Sequence, residues 1–202
     1  SISRRSVVKK YKTRYPGSLD DIFILLNRKN SPDRIDTVTI DGGDGIDTID
    51  YSIRQYSVTV DLSTQTTSVS HHTFSSIENV IGSRVSDTLI GDNGSNLLNG
   101  AGGTDTLYGG DGDDIIIGGR NIDVMEGGNG ADTFVYEDAE DGVFLASTNG
   151  SDKILDFNGA DGDIIDLSAV DANVNLSGRQ SFTFIGTAAY SKTAGELRLA
   201  VS

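Results

Sequence analysis

The chain has 202 residues, with 16 basic and 30 acidic side chains, 25 glycines, 2 prolines and no cysteine. A formal charge of -14 argues against a nucleic-acid partner, because phosphate backbones are bound by basic surface, and the absence of cysteine excludes disulfides, thiolate metal sites and cysteine nucleophiles. The 54 Leu, Ile, Val and Phe residues suffice for a buried core, yet the longest apolar run, Ile22 to Leu26, is too short to cross a bilayer.

Charge divides the chain. Residues 1–36 carry nine basic and four acidic side chains, whereas residues 37–202 carry seven basic and 26 acidic ones. The first segment reads as a basic N-terminal arm: Arg4, Arg5, Lys9, Lys10, Lys12 and Arg14, then Pro16-Gly17. Ser18-Leu19-Asp20-Asp21 has the spacing of a helix N-cap, so a short N-terminal helix is expected over Ile22–Leu26, ended by Asn30-Ser31-Pro32. The arm reads either as a linker or remnant of a preceding domain, or as a basic contact to an anionic membrane or to the acidic remainder of the chain.

Residues 37–81 hold an isolated glycine-rich loop, Gly42-Gly43-Asp44-Gly45-Ile46-Asp47, and two expected strands, Tyr51–Ile53 and Val58–Leu62. Ile77 to Gly82 then leads into a nine-residue repeat that fills residues 82–135. Glycine opens each unit at Gly82, Gly91, Gly100, Gly109, Gly118 and Gly127. Position six is Asp87, Asn96, Asp105, Asp114, Asp123 and Asp132, and position eight is Leu89, Leu98, Leu107, Ile116, Met125 and Phe134. A flexible linker has no reason to keep an apolar residue in register.

The period dictates a structure. Glycines let G-G-x-G-x-D close a tight loop with exposed carbonyls, and the last three residues form a short strand whose middle side chain points inward. Two loops and two strands close an 18-residue turn, and turns stack through parallel ladders. The Gly82, Gly100 and Gly118 loops then line one side and the Gly91, Gly109 and Gly127 loops the other. Residues 82–135 contain nine acidic and two basic side chains, so the position-six carboxylates would stand in rows. Such rows need a cation. Calcium accepts six to eight carboxylate and carbonyl oxygens in forgiving geometry, whereas magnesium resists dehydration and zinc favours nitrogen or sulfur.

These residues resemble the hemolysin-type, or repeats-in-toxin, calcium-binding nonapeptide G-G-x-G-x-D-x-U-x. The resemblance implies an all-β protein built on a parallel β-roll, with calcium between loops i and i+2 held by loop carbonyls and position-six side chains. Carried over, Gly91, Asn93 and Asn96 face Gly109, Gly110, Asp111, Gly112 and Asp114. Gly100, Gly102 and Asp105 face Gly118, Arg120 and Asp123, and the Gly109 loop also faces Gly127, Gly128, Asn129, Gly130 and Asp132. Asp87, with Gly42, Asp44 and Asp47 of the isolated loop, completes the expected ligand set. Gly82/Gly100 is the fourth pair that the resemblance implies; the Gly82 loop departs from the pattern by lacking the second and fourth glycines, and Asn96 departs by replacing an acid.

Downstream, Ala131 to Tyr136 is expected to cap the roll, and residues 136–202 are expected to form a β-sandwich-like C-terminal cap. Asp152-Lys153-Ile154-Leu155-Asp156-Phe157, Asp163 to Ser168 and Phe182 to Tyr190 are similar to the C-terminal domain of serralysin-type metalloproteases, and such modules also follow mannuronan epimerases. Asp152, Asp156, Asp161 and Asp163 read equally as a further calcium site or as solvated loops. His71 and His72 are adjacent and lack the H-E-x-x-H spacing of a zinc protease, and no G-x-S-x-G occurs. The chain is therefore expected to be an accessory module rather than an enzyme. The resemblance implies calcium as ligand, type I export and an extracellular location, with calcium-dependent binding of an acidic polysaccharide as the alternative.

Overall fold

The computed structural model describes residues 8–12, 20–25, 38–69, 72–137, 152–170, 183–184 and 196–197. All regular structure among the described residues is strand. The strands are β1 (Val8–Lys12), β2 (Asp21–Leu25), β3 (Val38–Asp41), β4 (Thr48–Asp50), β5 (Thr59–Asp61), β6 (Thr66–Thr67), β7 (His72–Ser75), β8 (Asn79–Ile81) and β9 (Thr88–Ile90). They continue as β10 (Leu97–Asn99), β11 (Thr106–Asp111), β12 (Ile115–Ile117), β13 (Val124–Asn129), β14 (Thr133–Val135), β15 (Lys153–Ile154), β16 (Ile164–Asp166), β17 (Thr183–Phe184) and β18 (Glu196–Leu197).

Two sheets carry the architecture. One runs β1-β2-β4-β8-β10-β12-β14-β16 and the other β15-β13-β11-β9-β5-β6. Their pairings are parallel except β1–β2 and β5–β6. Successive units of the repeat alternate between the sheets, so Leu98 lies beside Ile116 and then Phe134, while Leu89 lies beside Leu107 and then Met125. This is the parallel β-roll that the period predicts. A three-residue strand cannot bury itself, so stability comes from stacking many of them with one large apolar residue each turned inward. Leu89, Leu98, Leu107, Ile116 and Phe134 are fully buried, and Met125 nearly so.

The roll extends beyond the regular repeat at both ends. Ile49 of β4 lies beside Val80, and Val60 of β5 beside Leu89. Phe134 lies beside Ile165, and Met125 beside Ile154. The corresponding position-six contacts span 31 and 29 residues at each end instead of 18, so insertions in the loops hide the continuation from the nine-residue count. The N-terminal insertions add core: Ile40, Tyr51, Val58, Leu62, Phe74 and Ile77 are all buried, and Ile40 of β3 sits opposite Phe74 of β7.

Three expectations change. The stretch expected to be a short N-terminal helix is strand β2 over its described residues, with Phe23 beside Ile49 and Asp21, Phe23 and Leu25 buried on alternate positions. Pairing with the edge of β4 outweighs the local cap signal; Ser18 and residues 26–32 lie outside the described residues. Tyr51–Ile53, expected as a strand, begins a turn after β4, with the Arg54 N–H donating to the Tyr51 carbonyl at 2.8 Å. Ala131–Tyr136 does not end the roll, because β15 and β16 each add a strand beyond it. β17 and β18 pair only with each other, and the rest of the expected sandwich-like cap lies outside the described residues.

Leu107→Ala is expected to destabilise the folded roll by about 2–5 kcal/mol, because a fully buried leucine leaves a cavity in a core with no second layer to collapse into it. Tyr108→Ala, at a 38 % exposed position, should cost much less. Denaturant unfolding of the two variants checks the contrast.

Candidate metal centre

Each loop must return the chain within six residues, and the stack forces loops into close approach. Gly110 (φ 117°) and Gly128 (φ 103°) lie in the left-handed region, and a Cβ on Gly128 would strike the Gly110 carbonyl. The loops also pair directly, Gly110 with Gly128 and Asp111 with Asn129. Position one is glycine for a different reason. A side chain on Gly100, Gly109 or Gly127 would occupy the space of the position-six carboxylate of its own loop.

Those carboxylates form two rows. On one side Asp87 N–H donates to Asp105 Oδ1 (2.7 Å), Asp105 N–H to Asp123 Oδ1 (2.7 Å) and Asp123 N–H to Asp152 Oδ1 (2.8 Å). On the other, Asp21 N–H donates to Asp47 Oδ1 (2.6 Å) and Asp47 N–H to Glu78 Oε2 (2.8 Å). That row continues with Asn96 N–H to Asp114 Oδ1 (2.8 Å), Asp114 N–H to Asp132 Oδ1 (3.0 Å) and Asp132 N–H to Asp163 Oδ1 (3.1 Å). One oxygen of each carboxylate thus holds the amide of the preceding turn. The second oxygens of Asp105, Asp114 and Asp132 are buried without a hydrogen-bond partner.

An ionised carboxylate in that position is costly. Burial pushes Asp105 up to about 8 and Asp114 up to about 7, and raises Asp132 as well. The amides of Asp87 and Asn96 oppose this for Asp105 and Asp114, and neighbouring carboxylates add to it. The groups therefore require a proton or a cation. Every donor offered here is oxygen, from carboxylates and loop carbonyls, which suits a hard divalent ion such as calcium. No group of three or more His, Cys, Asp or Glu side chains converges among the described residues. An ion in these loops would therefore depend on backbone carbonyls as much as on side chains.

The expected ligands fall into three groups. Asp47, Asp105, Asp114, Asp123 and Asp132 stand in the rows, with Gly42, Gly91, Gly100, Gly109, Gly118 and Gly127 beneath them. Asp44, Asn93, Asp111, Arg120 and Asn129 have exposed side chains, and Asn129 donates to Asp111 Oδ1 at 2.8 Å. These residues, like Gly102, Gly110, Gly112, Gly128 and Gly130, could offer an ion a loop carbonyl. Asn96 and Asp87 stand in the rows but are engaged by protein groups. Asn96 Oδ1 accepts the Asp92 N–H (2.8 Å) and its Nδ2 donates to the Glu78 carbonyl (2.9 Å). Asp87 accepts from the Val58 N–H (2.7 Å), the Ser83 N–H and the Ser83 hydroxyl (3.0 Å).

Sequence reasoning missed Asp21 and Glu78 as row members, and left Asp152, Asp156 and Asp163 undecided. Asp152 and Asp163 join the rows, and Asp156 accepts the N–H groups of Gly127 (3.0 Å) and Gly128 (2.7 Å). A signal for Asp21 exists: Asp20-Asp21-Ile22-Phe23-Ile24 repeats the pattern of Asp113-Asp114-Ile115-Ile116-Ile117.

The raised carboxyl values give a pH dependence with an unusual sign. The folded values of Asp105 and Asp114 lie above the ordinary 3.8, so protonation favours the ion-free fold. That contribution is complete below 3.8 and is lost as pH rises through about 7 to 8. In chelator the melting temperature should fall between pH 5 and pH 9, and Asp105→Asn should make the decline shallower. A flat or rising profile would contradict the burial of these groups. With calcium present the trend should reverse, because ion and proton compete for the same oxygens.

Comparison with known proteins agrees with the geometry. A search of curated proteins finds no match. The family model described as Peptidase M10 serralysin C terminal matches residues 26–200. Parallel sheets, the nonapeptide loops and that match lead to one assignment: the chain belongs to the serralysin C-terminal family, the non-catalytic, calcium-binding β-roll domain of proteins exported by type I secretion.

Proposed function

We propose that this chain is a calcium-folded accessory module of a secreted protein, binding calcium between loops stacked 18 residues apart and completing its fold outside the cell. The observation that carries the reading is the set of buried Asp105, Asp114 and Asp132 oxygens without hydrogen-bond partners. The loop pairs Gly91/Gly109, Gly100/Gly118 and Gly109/Gly127 would hold the ions. Asp105, Asp114, Asp123 and Asp132 would supply carboxylates, and the glycine-rich turns would supply carbonyls.

The charge of the chain supports a switch. Residues 37–202 carry 26 acids, and at low cytosolic calcium their repulsion opposes closure of the rows. Extracellular modules of this ligand type bind calcium at about 10^-4 to 10^-3 M, so export into a calcium-rich medium would provide the missing charge. The Gly109 loop is shared between two of these pairs, which makes binding on that side of the roll cooperative. The alternative, an acidic polysaccharide, gains no support from the groove of about 320 Å³ near Tyr108, because Asp111 and Glu126 line it.

Far-UV circular dichroism should show a coil-to-β transition on calcium titration that magnesium does not reproduce. A spectrum equally rich in strand with chelator and with calcium would overturn the switch. Asp114→Ala should raise the calcium midpoint about 10-fold or more and lower the Hill slope, since the lost carboxylate serves two loop pairs.

A further inference from the structure

The first loop of the repeat is built differently from those that follow. In the Gly82 loop, Ser83 is fully buried and stands where the pattern has glycine. Its hydroxyl lies 3.0 Å from Asp87 Oδ1 and 3.2 Å from the Val85 carbonyl, while its N–H donates to Asp87 Oδ2. The Val58 N–H holds Asp87 Oδ1 from the preceding turn at 2.7 Å. Both Asp87 oxygens are therefore engaged, unlike those of Asp105, Asp114 and Asp132. On the side facing the preceding turn, Arg84 Nε donates to the Ser52 carbonyl at 3.2 Å, so a protein cation meets the loop carbonyl. Arg54, whose guanidinium lies 5.8 Å from the Tyr51 ring centroid, adds a second positive charge that opposes the effect of burial on Asp87.

We propose that the Gly82 loop is a calcium-independent lock, in which Ser83 and Arg84 do the work of an ion, and that it holds β9 against β5 as the template on which the next rung, β11, assembles. The proposal rests on the calcium-folding reading above. It moves the start of the ion-binding row on this side of the roll from Asp87 to Asp105. The lock joins the part of the roll with the additional core, including Tyr51, Val58, Leu62, Phe74 and Ile77, to the part with a single apolar residue per unit. The Gly82 loop thus combines apolar burial beside it with a carboxylate whose two oxygens are both engaged before any ion arrives. Asp105, Asp114 and Asp132 of the later units each keep a buried carboxylate oxygen without a hydrogen-bond partner.

Hydrogen exchange of the whole chain in chelator and in calcium tests this. The Thr88 N–H, bonded to the Val58 carbonyl at 3.0 Å, should remain protected in chelator, while the Thr106 and Val124 N–H groups, bonded to the Asp87 and Asp105 carbonyls, should gain protection only with calcium. Asp87→Asn should leave the calcium midpoint within twofold of the parent, against the roughly tenfold shift expected of Asp114→Asn. Arg84→Met should remove the protection of Thr88 in chelator and restore it in calcium. Equal exchange of Thr88 and Val124 in chelator, or equal midpoint shifts for the two Asn variants, would overturn the lock. Absence of any calcium response in the parent chain would instead overturn the reading on which it rests.

Discussion

The structure depends on a carboxylate that is half satisfied. At position six of the Gly100, Gly109 and Gly127 loops, Asp105, Asp114 and Asp132 each accept the amide of the turn before through one oxygen, which ties neighbouring turns together. The other oxygen lies buried over a glycine with nothing to bond. The first contact sets the 18-residue register of the stack. The second leaves a charge that the thin apolar core cannot stabilise alone. Close loop stacking and the need for a cation are therefore one design: glycines that admit the carboxylate also deny it water.

This constraint explains why the roll is not uniform along its length. The middle units spend their residues on loop geometry and contribute one inward side chain each. The N-terminal units depart from the glycine pattern and carry more buried apolar side chains, with Tyr51 and Ile77 buried and Phe74 of the inserted strand β7 opposite Ile40 of β3. Where the repeat loses its glycines, as at Ser83-Arg84-Val85, side chains appear that satisfy the carboxylate from within. At the far end Asp156 reaches back to two loop amides, and Asp152 and Asp163 close the rows.

Serine and valine in place of the second and fourth glycines of the Gly82 loop look like decay of the motif when the chain is compared only with its own consensus. In three dimensions Ser83 donates to the Asp87 carboxylate, and the neighbouring Arg84 donates to the Ser52 carbonyl. The same holds for Asn96, whose amide group reaches the Glu78 carbonyl while its oxygen serves the Asp92 N–H. Departure from the calcium pattern and satisfaction by protein groups go together at both positions.

The nine-residue period by itself determined the roll, the two sides on which loops stack, and the identity of the inward residues from Leu89 to Phe134. These follow from the reach of a three-residue strand and the freedom of glycine, both local properties. Tertiary structure decided what local rules could not. Asp21–Leu25 has a helix-cap signal but becomes a strand because β4 offers a free parallel edge. Asp152 and Asp163 join the rows across spacings of 29 and 31 residues, which no nine-residue count detects. Whether a row carboxylate is met by an amide 18 residues away, as Asn96 meets Asp114, or 29 away, as Val58 meets Asp87, depends on which atoms the stacked neighbouring turn brings within reach. Spacing along the chain carries no record of that.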